Sequence, residues 1–136
     1  MNRLTVQEVA LAAQAALVML EARYRLRRTS VDEMRRWATV ETGAPSRVDT
    51  RDQLLLAFRR AANRLGGTCL VRALALQRFL ARRGHPSELR IGVARTARGF
   101  EAHAWLVDGE DILEGGGQEA EEFTLLAAWP SGRVSS

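Results

Sequence analysis

The sequence contains one cysteine, two histidines and no lysine among its 136 residues. A single thiol forms no internal disulfide, so folding needs no oxidising compartment. One cysteine and two histidines also make a poor metal site, and neither a metal nor another cofactor is expected. With lysine absent, all 20 basic side chains are arginine. Arginine grips carboxylates and phosphates in a two-pronged fork, so a formal charge of +4 admits an acidic peptide or a nucleic acid as partner. The arginines are not interleaved with aromatics, which sets nucleic acid aside, and solvated surface charge accounts for the excess. Internal repeats are missing, as is any hydrophobic run long enough for a membrane. The apolar stretch Val9 to Leu20 follows Glu8, contains Gln14 and is too short to span a bilayer. It reads as a cytoplasmic amphipathic helix and not as a signal segment. What is present is a globular composition, 46% hydrophobic, of a length that suits one domain spanning 1–136 with a real core.

Three capping boxes mark helix starts: Thr5-Val6-Gln7-Glu8, Ser30-Val31-Asp32-Glu33 and Thr50-Arg51-Asp52-Gln53. In the first, Leu4 and Val9 stand where a hydrophobic staple packs. Val6, Val9, Ala13, Leu17, Leu20 and Tyr24 follow as one stripe at helical spacing, while Leu11, Ala15 and Val18 lie off it. A helix apolar nearly all round is either central or covered by another chain. Gly43 and Pro45 break the second helix. The third presents Leu54, Leu55, Phe58, Ala62 and Leu65, and stops at Gly66-Gly67. Thr68 caps a fourth helix, which ends near Arg83-Gly84, where Pro86 prevents a restart.

The period then changes to two. Leu89, Ile91 and Val93 alternate along one strand. In the next, Phe100, Ala102, Ala104 and Leu106 alternate with Glu101, His103, Trp105 and Val107. Asp108-Gly109 is a hairpin turn, Asp111 to Glu114 a third short strand, and Phe123 to Leu126 a final strand or short helix. From Ser131 onward the chain reads as frayed. The pattern predicts an α+β fold, with a helical half over 1–65 packed on a small antiparallel sheet, and a second half over 66–130 that carries the chemistry.

Cys69 falls in the first turn of the fourth helix, where unpaired amides and the helix dipole favour a thiolate. Gly66, Gly67 and Thr68 leave room for a substrate carbonyl beside it, and the Cys69 amide can face a developing oxyanion. The plain alternative is an inert, buried thiol. His103 lies mid-strand and can serve as base to the thiol and then as acid to the leaving group. Its alternative is a sheet histidine stacked on Trp105, which also borders any pocket here. His85 falls in an exposed turn. A third member would hold the imidazole in one tautomer. Glu114 is the first candidate, with Asp111 and Asp108 competing, although Asp108 is also explained by its hairpin.

Cys69-Leu70-Val71-Arg72-Ala73-Leu74-Ala75-Leu76-Gln77, Arg83-Gly84-His85-Pro86, Ile91-Gly92-Val93 and Ala102-His103-Ala104-Trp105 together resemble the transglutaminase-like leader peptidases of lasso-peptide biosynthesis. The resemblance covers roughly the second half of the chain. It implies a papain- or transglutaminase-like core with its nucleophile at a helix N-terminus. It also implies cytoplasmic removal of a leader from a ribosomally made precursor. Family members usually carry aspartate as the third catalytic residue, and Glu114 falls there by counting from His103. No leader-recognition domain is read before Leu4. The resemblance therefore implies the split form, working with a separate leader-recognition protein and beside an ATP-dependent macrocycle-forming enzyme. Two other readings stand beside it. One is an amine-accepting transglutaminase. The other is a non-catalytic, arginine-rich adaptor with a degenerate triad.

Overall fold

The computed structural model describes residues 6–39, 50–97, 99–115 and 124–130. Four helices come first: α1 (Val6–Leu26), α2 (Val31–Thr39), α3 (Arg51–Leu65) and α4 (Cys69–Ala81). Four strands follow: β1 (Glu88–Thr96), β2 (Gly99–Asp108), β3 (Asp111–Glu114) and β4 (Thr124–Pro130). Among the described residues the strands form one antiparallel sheet in the order β3-β2-β1-β4. The α+β arrangement expected from the change of period is the one observed, and the final segment is a strand.

Helix α4 is the centre of the packing. Val71, the run Ala73 to Gln77, and Phe79 to Ala81 are all buried, because α1 and α2 pack on it from one side and β2 from another. Phe58 of α3 meets Phe79 with ring centroids 6.2 Å apart. From the sheet, Leu89, Ala104, Leu106 and Leu113 enter the same core. Each fully buried leucine or phenylalanine contributes about 1.5–3 kcal/mol. Polar tethers from α4 fix its neighbours. Gln77 Nε2 donates to the Trp129 carbonyl at 2.8 Å, which holds β4. Arg78 donates to the Trp37 carbonyl at 2.6 Å and lies over that indole, 4.6 Å from its centroid, which holds α2. Burial pushes the Arg78 guanidinium below its ordinary pKa, and the charge of Arg82 acts the same way.

The caps follow the sequence where they are described. Thr50 and Gln53 make the complete reciprocal box. Ser30 Oγ accepts from the Glu33 amide at 3.2 Å. Thr5, Leu4, the Gly43 and Pro45 break, Phe123 and the segment from Ser131 lie outside the described residues. Helix α1 departs from the expected reading. Its buried face is Leu11, Ala15, Met19 and Ala22, whereas Val6, Val9, Leu17, Leu20 and Tyr24 of the expected stripe are exposed. The small side chains of Ala15 and Ala22 admit close approach to α3 and α4, so the narrower face is the one that packs.

Candidate active site

The turn between α3 and α4 places the cysteine. Gly66 closes α3 by donating its amide to the Ala62 carbonyl at 2.8 Å, with φ of +71°. Gly67 follows at φ of +130°, and an added Cβ there would sit 3.3 Å from Met19 Cε. Side-chain-bearing residues rarely adopt that backbone, so the glycine pair permits the reversal. Thr68 then caps α4. Its hydroxyl accepts from the Val71 amide at 3.2 Å and its carbonyl from the Arg72 amide at 3.0 Å. The two preceding amides, of Cys69 and Leu70, have no partner within the helix. They are the donors that an oxyanion beside Cys69 would meet.

Strand β2 places the histidine. Leu89 pairs with Leu106 and Ile91 with Ala104, and these four share the side that packs on the helices. His103 and Trp105 therefore alternate onto the other side, their rings stacked with centroids 6.0 Å apart. The side facing α4 is filled by Ala104 and Leu106, so the sulfur meets the strand at its edge. Strand β3 ends at Glu114, opposite Leu106. Ala104 lies beyond that end, and its amide donates to Cys69 Sγ at 3.4 Å. The sulfur thus accepts a hydrogen bond from the residue that follows His103. Cys69 is half-buried, packed against the core yet reachable.

The candidate acids are engaged elsewhere. Glu114 Oε1 accepts from Arg72 Nη2 at 3.1 Å. Asp108 and Asp111 both sit on Arg51, at 2.7 and 2.8 Å, across from α3. Hydrogen bonds from Arg51 to Asp111 and then Asp108 hold that guanidinium above its ordinary pKa. The imidazole Nε2 of His103 contacts the carbonyl oxygen of Gly115. Neither Arg72 nor Gly115 stands out in the sequence as a site residue. Arg72 had one available signal, its position three residues after Cys69 on the same helix face. His85 is half-buried in the turn after α4, where its amide donates to the Leu80 carbonyl at 3.0 Å. Beside Glu114 and Gly115 lies an open cleft of about 410 Å³, also lined by Arg59, Asn63, Arg72, Ile112 and Leu113. Among the described residues no group of His, Cys, Asp and Glu has the arrangement of a metal site, and no helix is long and apolar enough to cross a membrane.

A cysteine thus opens the central helix, against a strand that carries a histidine, and the model of the transglutaminase-like superfamily matches residues 13–128. The chain belongs to the transglutaminase-like superfamily. No curated protein and no solved structure matches it. The matched span runs from α1 through β4, so the helical half belongs to the transglutaminase-like domain as much as the sheet does. Such domains are generally protease-like or acyltransferase-like, which is the class of chemistry that a thiol at a helix N-terminus suits.

Proposed function

We propose that this transglutaminase-like chain is a cysteine peptidase that removes the leader from a ribosomally made lasso-peptide precursor. Cys69 is the nucleophile and His103 the base and acid. The thiolate sulfur attacks the scissile carbonyl carbon, and the carbonyl π electrons move onto oxygen, facing the Cys69 and Leu70 amides. As the tetrahedral adduct collapses, the C–N bond breaks and His103 gives its proton to the leaving amine. Water then attacks the thioester carbon and gives its proton to His103; the C–S bond breaks, the Cys69 thiolate is regenerated, and the leader departs as a carboxylate.

The observation that carries this reading is the hydrogen bond from the Ala104 amide to Cys69 Sγ at 3.4 Å. It supplies a donor to developing negative charge on sulfur and brings the thiol to the histidine strand. An inert core cysteine would not need the edge of that strand. The apolar face that α1 leaves exposed supports a second part of the reading: a separate leader-binding protein docks there, helped by the neighbouring Arg25 and Arg28.

The test is incubation of a precursor peptide with the purified chain, with and without the leader-binding protein, read by mass spectrometry. Release of the leader with one water added is expected, and Cys69→Ala should abolish it while keeping the fold. Incorporation of an added amine in place of water would make the chain a transglutaminase. Turnover by the Cys69→Ala protein would refute any enzymatic role for this thiol, and no turnover by the wild type with its partner present would leave the adaptor.

A further inference from the structure

Three successive residues at the end of β3 are held in three different ways. The Leu113 carbonyl accepts from Arg59 of α3 at 3.2 Å. The Glu114 carboxylate accepts from Arg72 of α4 at 3.1 Å. The Gly115 carbonyl meets Nε2 of His103. Two helices thus clamp the strand end, and the next backbone carbonyl is delivered to the imidazole.

We propose that the Gly115 carbonyl orients His103, and that the Arg72–Glu114 pair positions that carbonyl; Glu114 is not the acid behind the imidazole. The inference rests on the assignment of Cys69 and His103 as nucleophile and base. A carbonyl oxygen only accepts hydrogen bonds, so Nε2 carries the proton at this contact. In the neutral ring the lone pair then belongs to Nδ1, and the Gly115 carbonyl defines the tautomer of the base. A carbonyl has no net charge, so it fixes the ring as a carboxylate would while stabilising the imidazolium less.

The local geometry demands this presentation. Gly115 has φ of +78°, and an added Cβ would lie 2.8 Å from the Ala104 carbonyl oxygen and 3.4 Å from Trp105 Cα. Only glycine lets the chain turn off β3 so close to β2 at the two residues that follow the histidine. Arg72 ties this turn to the nucleophile. It stands one helical turn after Cys69, its side chain is 21% exposed, and it reaches both Asn63 at 3.3 Å and Glu114. The helix that opens with the thiol therefore also holds the strand end that aligns the base. Arg72 and Glu114 are positioning residues, since neither is placed against the reacting atoms.

The experiment combines histidine-¹⁵N NMR with kinetics on the full chain. The chain has two histidines, so His103→Ala assigns the spectrum. Long-range ¹H–¹⁵N couplings read the tautomer of His103 without requiring activity. The wild type and Glu114→Gln should both show the Nε2–H form, with superimposable pH–rate profiles and a loss in kcat of about threefold in the variant, because glutamine retains an acceptor for Arg72. Arg72→Met and Gly115→Ala should show mixed tautomers and lose about a hundredfold in kcat with little change in KM, the loss that about 1 Å of misplacement brings. Arg72→Lys, which restores a cation opposite Glu114, should recover part of it. Should Gly115→Ala fail to fold, the Glu114→Gln tautomer still decides. A Glu114→Gln protein that loses the Nε2–H form, or falls as far as His103→Ala, overturns the proposal and makes Glu114 the acid. Failure of the underlying peptidase reading looks different: His103→Ala would leave both cleavage and iodoacetamide alkylation of Cys69 unchanged.

Discussion

Replacing Thr68 by alanine isolates one hydrogen bond between the fold and the chemistry. The Thr68 side chain is exposed, so the change removes little buried surface. It removes the acceptor that holds the Val71 amide at 3.2 Å. Loss of a threonine N-cap costs about 1 kcal/mol, within a range of about 0.5–2. For a chain of this size that is a fall in Tm of about 3–5 °C. The frayed turn contains Cys69, so kcat should fall about three- to tenfold as the thiol and its neighbouring amides lose their fixed placement. Thr68→Ser keeps the oxygen and should restore both quantities. Thr50→Ala is the control: it removes the corresponding cap on α3, where Thr50 accepts from the Gln53 amide at 3.2 Å. Its Tm should drop comparably with no change in kcat. Scanning calorimetry and precursor cleavage, followed by mass spectrometry, measure the two effects. An unchanged Tm in Thr68→Ala would refute the cap. A lowered Tm with unchanged kcat would refute the link between the cap and the nucleophile.

Four other outcomes are expected. His103→Ala should lose nearly as much activity as removal of the thiol, because the two act as a unit; a pH–rate profile governed by His85 instead would count against the pairing. Asp108→Asn and Asp111→Asn should each keep kcat within about twofold and cost about 0–1 kcal/mol in urea unfolding, since each loses one branch of a partly exposed pair with Arg51; a larger kcat loss in either would make it the third member. Phe79→Ala should cost about 3–5 kcal/mol, because the ring is fully buried against Phe58; a loss below 1 kcal/mol in chemical denaturation would contradict its central place. Adding a leader-binding protein should speed cleavage most at low precursor concentration, mainly through apparent KM, by raising the local concentration of the scissile bond. Equal progress curves with Leu17→Glu/Leu20→Glu and wild-type chain, at limiting precursor, would remove the exposed α1 face as its dock.

The parts of the fold that were legible in the sequence are those fixed by local chemistry. Thr50 with Gln53 and Thr68 before Cys69 announce helix starts because their side chains bond amides within the same turn. The hairpin expected at Asp108-Gly109 is announced by its glycine: Asp108 pairs with Asp111, and Gly109, at φ of +61°, opens the two-residue turn. The strand register follows from alternation: once Leu89 and Leu106 must be buried, Ala104 shares their side and His103 does not. Helix α1 was illegible for the opposite reason. Two of its faces are apolar, and periodicity cannot rank them. The choice falls to shape, through alanines that fit between neighbouring helices, and shape belongs to the assembled core.

The candidate site divides along the same line. A nucleophile and a base can be read from residue type, because few side chains do that work and each needs a helix start or a strand to hold it. An orienting group can be supplied by any acceptor, including a backbone carbonyl, which every residue possesses and no sequence displays. Glu114 drew attention as a carboxylate at a suitable spacing, yet its partner is an arginine 42 positions away in the chain. One contact on the His103 ring comes from Gly115, whose only sequence mark is to open a run of three glycines. Its importance appears only when the neighbouring strand is in place and an added Cβ would strike the Ala104 carbonyl. In the proposed mechanism the covalent chemistry is therefore carried by residue identity, and the alignment of the base by long-range packing of α4 on β3. Substitutions that preserve every titratable group but move that strand end are accordingly expected to silence the proposed activity.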